Sequence, residues 1–117
     1  MANGDILIHN GLYGSAEQAD GSYDFTPFFE YVKDWISSAD LAIGDYEGTI
    51  SPDYPLGGYP LFNAPSEIAD AMKDTGYDVV DLAHNHILDS GLSGAINTVE
   101  TFENFWLVNY RCLQRKS

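Results

Sequence analysis

Apolar side chains in this sequence gather in strand-length runs that end in polar groups: Ile6-Leu7-Ile8 between Asp5 and His9, Leu41-Ala42-Ile43 before Gly44-Asp45-Tyr46-Glu47, and Val79-Val80-Asp81-Leu82-Ala83 before His84-Asn85-His86. Short runs rich in β-branched residues predict buried strands. Between the runs the apolar period lengthens to that of a helix. Thr26 offers a capping hydroxyl and Pro27 suits the first helical position, and Phe28 or Phe29, Val32, and Trp35 with Ile36 follow on one predicted core face, so a helix is expected to about Ser38. Pro65 opens a second helix with Ile68, Ala71, Met72 and Thr75 inward, stopped by Gly76. A third begins after Gly91, with Leu92, Ala95 or Ile96, Val99 and Phe102 inward, and Trp106-Leu107-Val108-Asn109-Tyr110 reads as a further strand.

Two stretches read as loop: Gly11 to Gly21, which is glycine, serine and polar residues, and residues 48–64, where Pro52, Pro55, Gly57, Gly58 and Pro60 prevent a regular ladder. A connection as long as the second tends to form a lid or rim. Strands and helices alternate with no tight hairpin, which predicts an α/β fold, a mainly parallel sheet with flanking helices. In such sheets ligands bind beyond the carboxyl ends of the strands, where the loops converge.

Charge narrows the partners. The 117 residues carry 18 acidic and 5 basic side chains, a net charge of -13, which excludes nucleic acid as a partner, because phosphate contacts need clustered Lys and Arg. A cation is the natural counterpart. The sign changes at the end of the chain: residues 1–110 hold every acidic residue and only Lys33 and Lys73, a net -16, whereas Arg111, Arg115 and Lys116 are the remaining cations. One domain over residues 1–104 followed by a divergent basic tail, 105–117, is the organisation expected. Cys112 is the single cysteine, so neither a disulfide framework nor a thiolate metal site is available. No apolar run approaches the roughly 20 residues that span a bilayer, and the first residues do not read as a signal peptide.

The candidate chemistry sits at the three run ends: Asp5 with His9, Asp45 with Glu47, and His84-Asn85-His86 with Asp89. Carboxylate, imidazole and amide groups drawn from separate loops are the donor mixture that divalent metals in hydrolases favour, since one loop cannot surround an ion. Other chemistries fail. Asp20-Gly21-Ser22-Tyr23-Asp24 imitates the start of a calcium loop, but Phe25 and Tyr31 stand where that loop needs glycine and glutamate. Ser93 lacks the spacing of a nucleophile elbow, and no glycine-rich phosphate loop or dinucleotide fingerprint occurs.

The same residues carry a resemblance. Gly4-Asp5-Ile6-Leu7, the stretch from Ala39 to Ile50, Pro60-Leu61-Phe62-Asn63-Ala64-Pro65, and the stretch from Gly76 to Asp89 resemble, in register over about residues 4–104, the CapA family of capsule-synthesis proteins. That resemblance implies poly-γ-glutamate capsule production and a calcineurin-like metallophosphatase fold, an α-β-β-α sandwich of which this chain would be the first half. It implies a divalent metal (Mn, Fe, Zn or Mg) held by Asp5, Asp45, Glu47 and Asn85, with His86 as the catalytic imidazole and His9, His84 and Asp89 behind them. It also implies a first strand upstream of residue 4. Two positions depart from the family, which usually has Asn where this chain has Asp45 and His84. The substrate expected is polyanionic or phosphate-containing, hydrolysed by water activated on the metal. A noncatalytic acidic component of capsule export is the alternative. A family of this kind acts outside the cytoplasmic membrane. A half sheet with open edges would pair with the rest of the domain, with other capsule-synthesis proteins or with itself.

Overall fold

The computed structural model describes residues 1–105, with Asp5 and Phe105 described by backbone alone. Three parallel strands form the sheet in the order β1 (Ala2–Ile6), β2 (Ile43–Tyr46), β3 (Val79–Asp81). Because all three run the same way, their carboxyl ends share one edge. The α/β prediction holds, and the arrangement is compatible with part of a metallophosphatase-like sandwich. The strand of residues 106–110 and the basic tail lie outside the described residues.

Each of the first two strands is displaced from its apolar run. β1 begins before Ile6-Leu7-Ile8 and β2 takes in Gly44, Asp45 and Tyr46, so Asp5 and Asp45 stand within strands rather than after them. The first strand starts ahead of residue 4, as the resemblance implied, but still ends at Ile6. Packing explains β2. Gly44 and Tyr46 are its buried positions, and a β-carbon on Gly44 would come within 2.7 Å of the Tyr77 ring, so only glycine lets that ring lie against the strand. The Tyr46 ring meets Phe102 at 5.3 Å on the other side of the core.

Two helical expectations change. Gly11 to Gly21 is not all loop: α1 (Asn10–Ala16) forms there despite its glycines, because Tyr13 and Ala16 are buried and tertiary packing overrides weak propensity. The helix expected from Thr26 to Ser38 is instead a single 3-10 turn, Thr26–Phe29, and α2 (Lys33–Ser37). Of its predicted core face only Phe29 and Ile36 pack inward, while Tyr31 between the two pieces is 89% exposed and Trp35 is 70% exposed. So short a helix persists only where it packs, and Tyr31 and Val32 face solvent. The Thr26 hydroxyl does not cap backbone amides; it donates to Asp24 Oδ1 at 2.6 Å, and the same carboxylate accepts the Thr26 N–H at 3.0 Å.

α3 (Glu67–Thr75) follows the prediction closely. Ile68, Ala71, Met72 and Thr75 are buried, each large apolar side chain contributing about 1.5–3 kcal/mol, and Gly76 ends the helix at φ +113°. α4 (Gly91–Phe105) buries Ala95, Val99 and Phe102, settling the choice against Ile96, while Leu92 is 61% exposed. Leu92 lies in the first turn, one residue past the glycine at φ +70°, and the buried stripe runs instead through Ala95, Thr98 and Phe102.

Candidate functional site at the carboxyl ends of the strands

Residues 48–64 lack a ladder but are not irregular, because Asn63 organises them. Its Oδ1 accepts the Ser51 N–H at 2.8 Å and the Thr49 hydroxyl at 3.2 Å. Its Nδ2 donates to the carbonyls of Ser51, Tyr54 and Pro55 at 3.0, 3.1 and 3.2 Å. The backbones of Gly57 and Asn63 exchange two hydrogen bonds of 3.0 Å. Thr49 in turn lies 2.7 Å from the Ser90 hydroxyl, at the start of α4. The loop is therefore a fixed wall that presents Phe62 to the strand ends.

On that wall the predicted residues fall into two groups. In the first, β2 and β3 align Asp45 with Asp81 as register partners, so the two carboxylates leave the same face of the sheet. A β-carbon on Gly4 would lie 3.8 Å from the Asp45 carboxylate, which places β1 directly alongside. Pairing between β1 and β2 shifts register between Asn3 and Ile6, and the bulge puts the backbone of Gly4 and Asp5 opposite Asp45. Glu47 follows β2 at once, its N–H donating to the Ile6 carbonyl at 2.9 Å. Asp81 was not among the predicted site residues. Its place inside an apolar run made it read as strand, and only the register reveals it as Asp45's partner.

The second group is the turn after β3. His86 Nδ1 lies 2.8 Å from Asp89 Oδ2, and the same oxygen accepts the Phe62 N–H at 2.7 Å. The Phe62 ring meets His86 edge-to-face at 4.7 Å and His9 at 5.0 Å, so one buried phenyl separates two imidazoles. His9 is exposed at the N-terminus of α1. His84 Nδ1 accepts the His86 N–H at 3.0 Å, which leaves the proton of a neutral His84 on Nε2. That Nε2 is sealed from solvent without a hydrogen bond of standard geometry. Burial, and then the neighbouring His86, hold the His84 pKa below its ordinary value, against the pull of Asp89, Asp81 and the Tyr46 backbone. Asn85 is exposed between the two histidines.

Among the described residues no three His, Cys, Asp or Glu side chains lie close enough together to hold a metal ion. A cleft of about 630 Å³, lined in part by Ile50, Tyr54, Leu56, Pro65, Glu67 and Asn97, includes none of the predicted site residues. Among the described residues no helix is long and apolar enough to cross a membrane.

Strand, bulge and loop together define a parallel α/β domain with carboxylates and imidazoles at the carboxyl edge of its sheet. The model of the family described as "Bacterial capsule synthesis protein PGA_cap" matches residues 1–108, and the chain belongs to that family. It is 26% identical over 105 residues to the "Capsule biosynthesis protein CapA" of Bacillus anthracis, an alignment that takes in 86% of this chain and 25% of that protein. The chain thus spans about a quarter of the length of that relative.

Proposed function

We propose that this capsule-synthesis domain carries part of a divalent-metal, phosphoesterase-type hydrolytic site serving poly-γ-glutamate capsule production outside the cytoplasmic membrane. The observation that carries this reading is the cross-strand pairing of Asp45 with Asp81, with Glu47 and the His84-Asn85-His86 turn following the same two strands. The donor set is rich in carboxylate and amide oxygen, which suits a hard divalent ion. Asp5, Asp45, Glu47 and Asn85 would hold it, Asp45 next to its register partner Asp81, and a bound ion would have to draw them together, since no three of the described carboxylates converge. Mn, Fe, Zn and Mg all accept such donors.

When bound, the metal supplies an activated water and a positive charge beside a phosphate-containing or otherwise polyanionic substrate. That charge also makes an anionic substrate tolerable beside a chain of net charge -13. His86 transfers the proton, donating to the departing group through the nitrogen that Asp89 does not occupy. His84 braces the backbone of that turn, and His9 packs on the opposite side of Phe62. The remainder of a longer chain, another capsule-synthesis protein or a second copy would complete the ligand shell.

Calorimetric titration with manganese, paired with hydrolysis of bis-p-nitrophenyl phosphate, tests the reading. Heat of binding that is lost in Asp45→Ala and Glu47→Ala, and turnover that is lost in His86→Ala, are expected. A protein that neither binds manganese nor turns over the ester overturns it. A second reading, an acidic assembly component of capsule export without catalysis, is favoured by the exposure of Tyr31, Val32 and Trp35. Exposed apolar side chains gathered in one short segment are the kind of surface a partner covers.

A further inference from the structure

We infer that Asp89 is a positioning residue, held by the wall of residues 48–64, which fixes His86 as its Nδ1–H tautomer and so makes Nε2 the nitrogen that takes up and delivers the proton. The inference deepens the role given to His86 above and rests on that reading for its catalytic meaning, but its structural content stands apart from turnover.

A carboxylate can only accept hydrogen bonds. Asp89 Oδ2 lies 2.8 Å from His86 Nδ1 and already accepts the Phe62 amide at 2.7 Å, so the Nδ1 position must carry a hydrogen. The ring has little freedom to turn away. The Phe62 phenyl stands edge-to-face against it at 4.7 Å, and the His86 N–H is bound to His84 Nδ1 at 3.0 Å. Asp89 and His86 are both largely buried, with side-chain exposures of 11% and 18%, so water competes poorly for either group.

The Phe62 amide makes the arrangement more than a local turn. It joins Asp89 to a wall whose own shape is set by Asn63, the adjacent residue. Two segments distant in sequence, the 48–64 loop and the turn between β3 and α4, therefore meet on one carboxylate oxygen. Imidazole orientation by a carboxylate on the far nitrogen is the arrangement that lets histidine work as acid and base through the near one.

Nitrogen chemical shifts of the His86 ring, recorded on the intact chain at a pH where imidazoles are neutral, test the inference directly. The Nδ1–H form is expected in the unsubstituted protein, and Asp89→Ala should shift the ring toward the Nε2–H form that free imidazole side chains prefer. An Nε2–H ring in the unsubstituted protein, a ring protonated on both nitrogens at that pH, or an Asp89→Ala spectrum identical to the starting one overturns the assignment. The first measurement needs no variant and stands even if Asp89→Ala fails to fold. Where the ester is hydrolysed, Asp89→Ala lowers kcat roughly tenfold or more with KM little changed. A correct tautomer in a protein without turnover counts against the hydrolytic reading alone.

Discussion

The Tyr13 hydroxyl donates to the Asn63 carbonyl at 2.5 Å, which ties the helix after β1 to the residue that shapes the 48–64 wall. The same oxygen lies 2.7 Å from the Gly57 carbonyl and 3.3 Å from that of Ile8. One hydroxyl hydrogen cannot serve three carbonyls at once, so the site is rich in acceptors. Burial first, with a smaller contribution from Tyr23, pushes the Tyr13 pKa up to about 12. Tyr46 and Tyr77 are also raised by burial.

Alkaline sensitivity follows from that shift. The unfolded chain releases the Tyr13 proton near 10, whereas the folded chain holds it to about 12. Stability from this group is therefore intact below pH 10 and is lost as the pH rises from there through 12. Urea midpoints measured across this interval should fall steeply for the unsubstituted protein and less steeply for Tyr13→Phe. The variant should also be weaker by about 1 kcal/mol at neutral pH. Parallel curves for the two proteins would show that Tyr13 is not responsible.

Asn63 should tolerate nothing else. It is 3% exposed and its side chain meets five polar groups, the Ser51 N–H among them. Asn63→Ala should cost about 2–4 kcal/mol in chemical denaturation, the cost of several unsatisfied groups partly relieved by water. Asn63→Asp keeps the acceptor for Ser51 but sets a negative charge against the carbonyls that Nδ2 served, so it should be no better than alanine. A loss under about 1 kcal/mol in both variants would remove Asn63 as the organiser of the loop.

Glycines in this chain divide sharply by role. Gly76 lies at φ +113°, and an added β-carbon would stand 2.9 Å from Ser37 Cα, so Gly76→Ala strains the backbone and pushes α2 from α3. A loss of about 2 kcal/mol in thermal unfolding is expected. Gly14 is inside α1 with nothing within 4 Å of the new carbon, and Gly14→Ala should raise stability by about 0.5–1 kcal/mol. Similar values at the two positions would contradict the geometry at Gly76.

How far the sequence could be read differs by element. α3 was legible because period, proline start and glycine stop all agreed, and the same agreement placed the turn of His84-Asn85-His86 after a strand. β2 was displaced because Gly44 must accommodate the Tyr77 ring, a contact between residues 33 apart that no local pattern records. Aromatic residues at helical spacing read as core, yet Trp35 faces outward: periodicity finds a face but not what covers it. In the site, the paired residue types were visible and the pairings were not. Asp81 was hidden inside its strand, and the bond from Phe62 to Asp89 joins two stretches 27 residues apart. The assignment of Asp5, Asp45, Glu47 and Asn85 to a metal stays with the manganese titration.

His84 departs from the pattern that the sequence resemblance implies, which has asparagine at this position. An asparagine oxygen two residues ahead of a backbone N–H closes an Asx turn, and here the imidazole Nδ1 does the same for His86 at 3.0 Å. The imidazole brings a cost that asparagine avoids, a buried Nε2 lacking a hydrogen bond of standard geometry. His84→Asn should therefore keep the turn and leave stability within about 0.5 kcal/mol of the starting protein or slightly above it. His84→Leu keeps the bulk but loses the acceptor, so the His86 amide is left unpaired and about 1–2 kcal/mol is lost. The ring shifts of His86 separate these outcomes from a simple change in packing, because the asparagine variant should reproduce the starting spectrum and the leucine variant should not. Equal behaviour of Asn and Leu would mean that the bond to Nδ1 does not hold the turn.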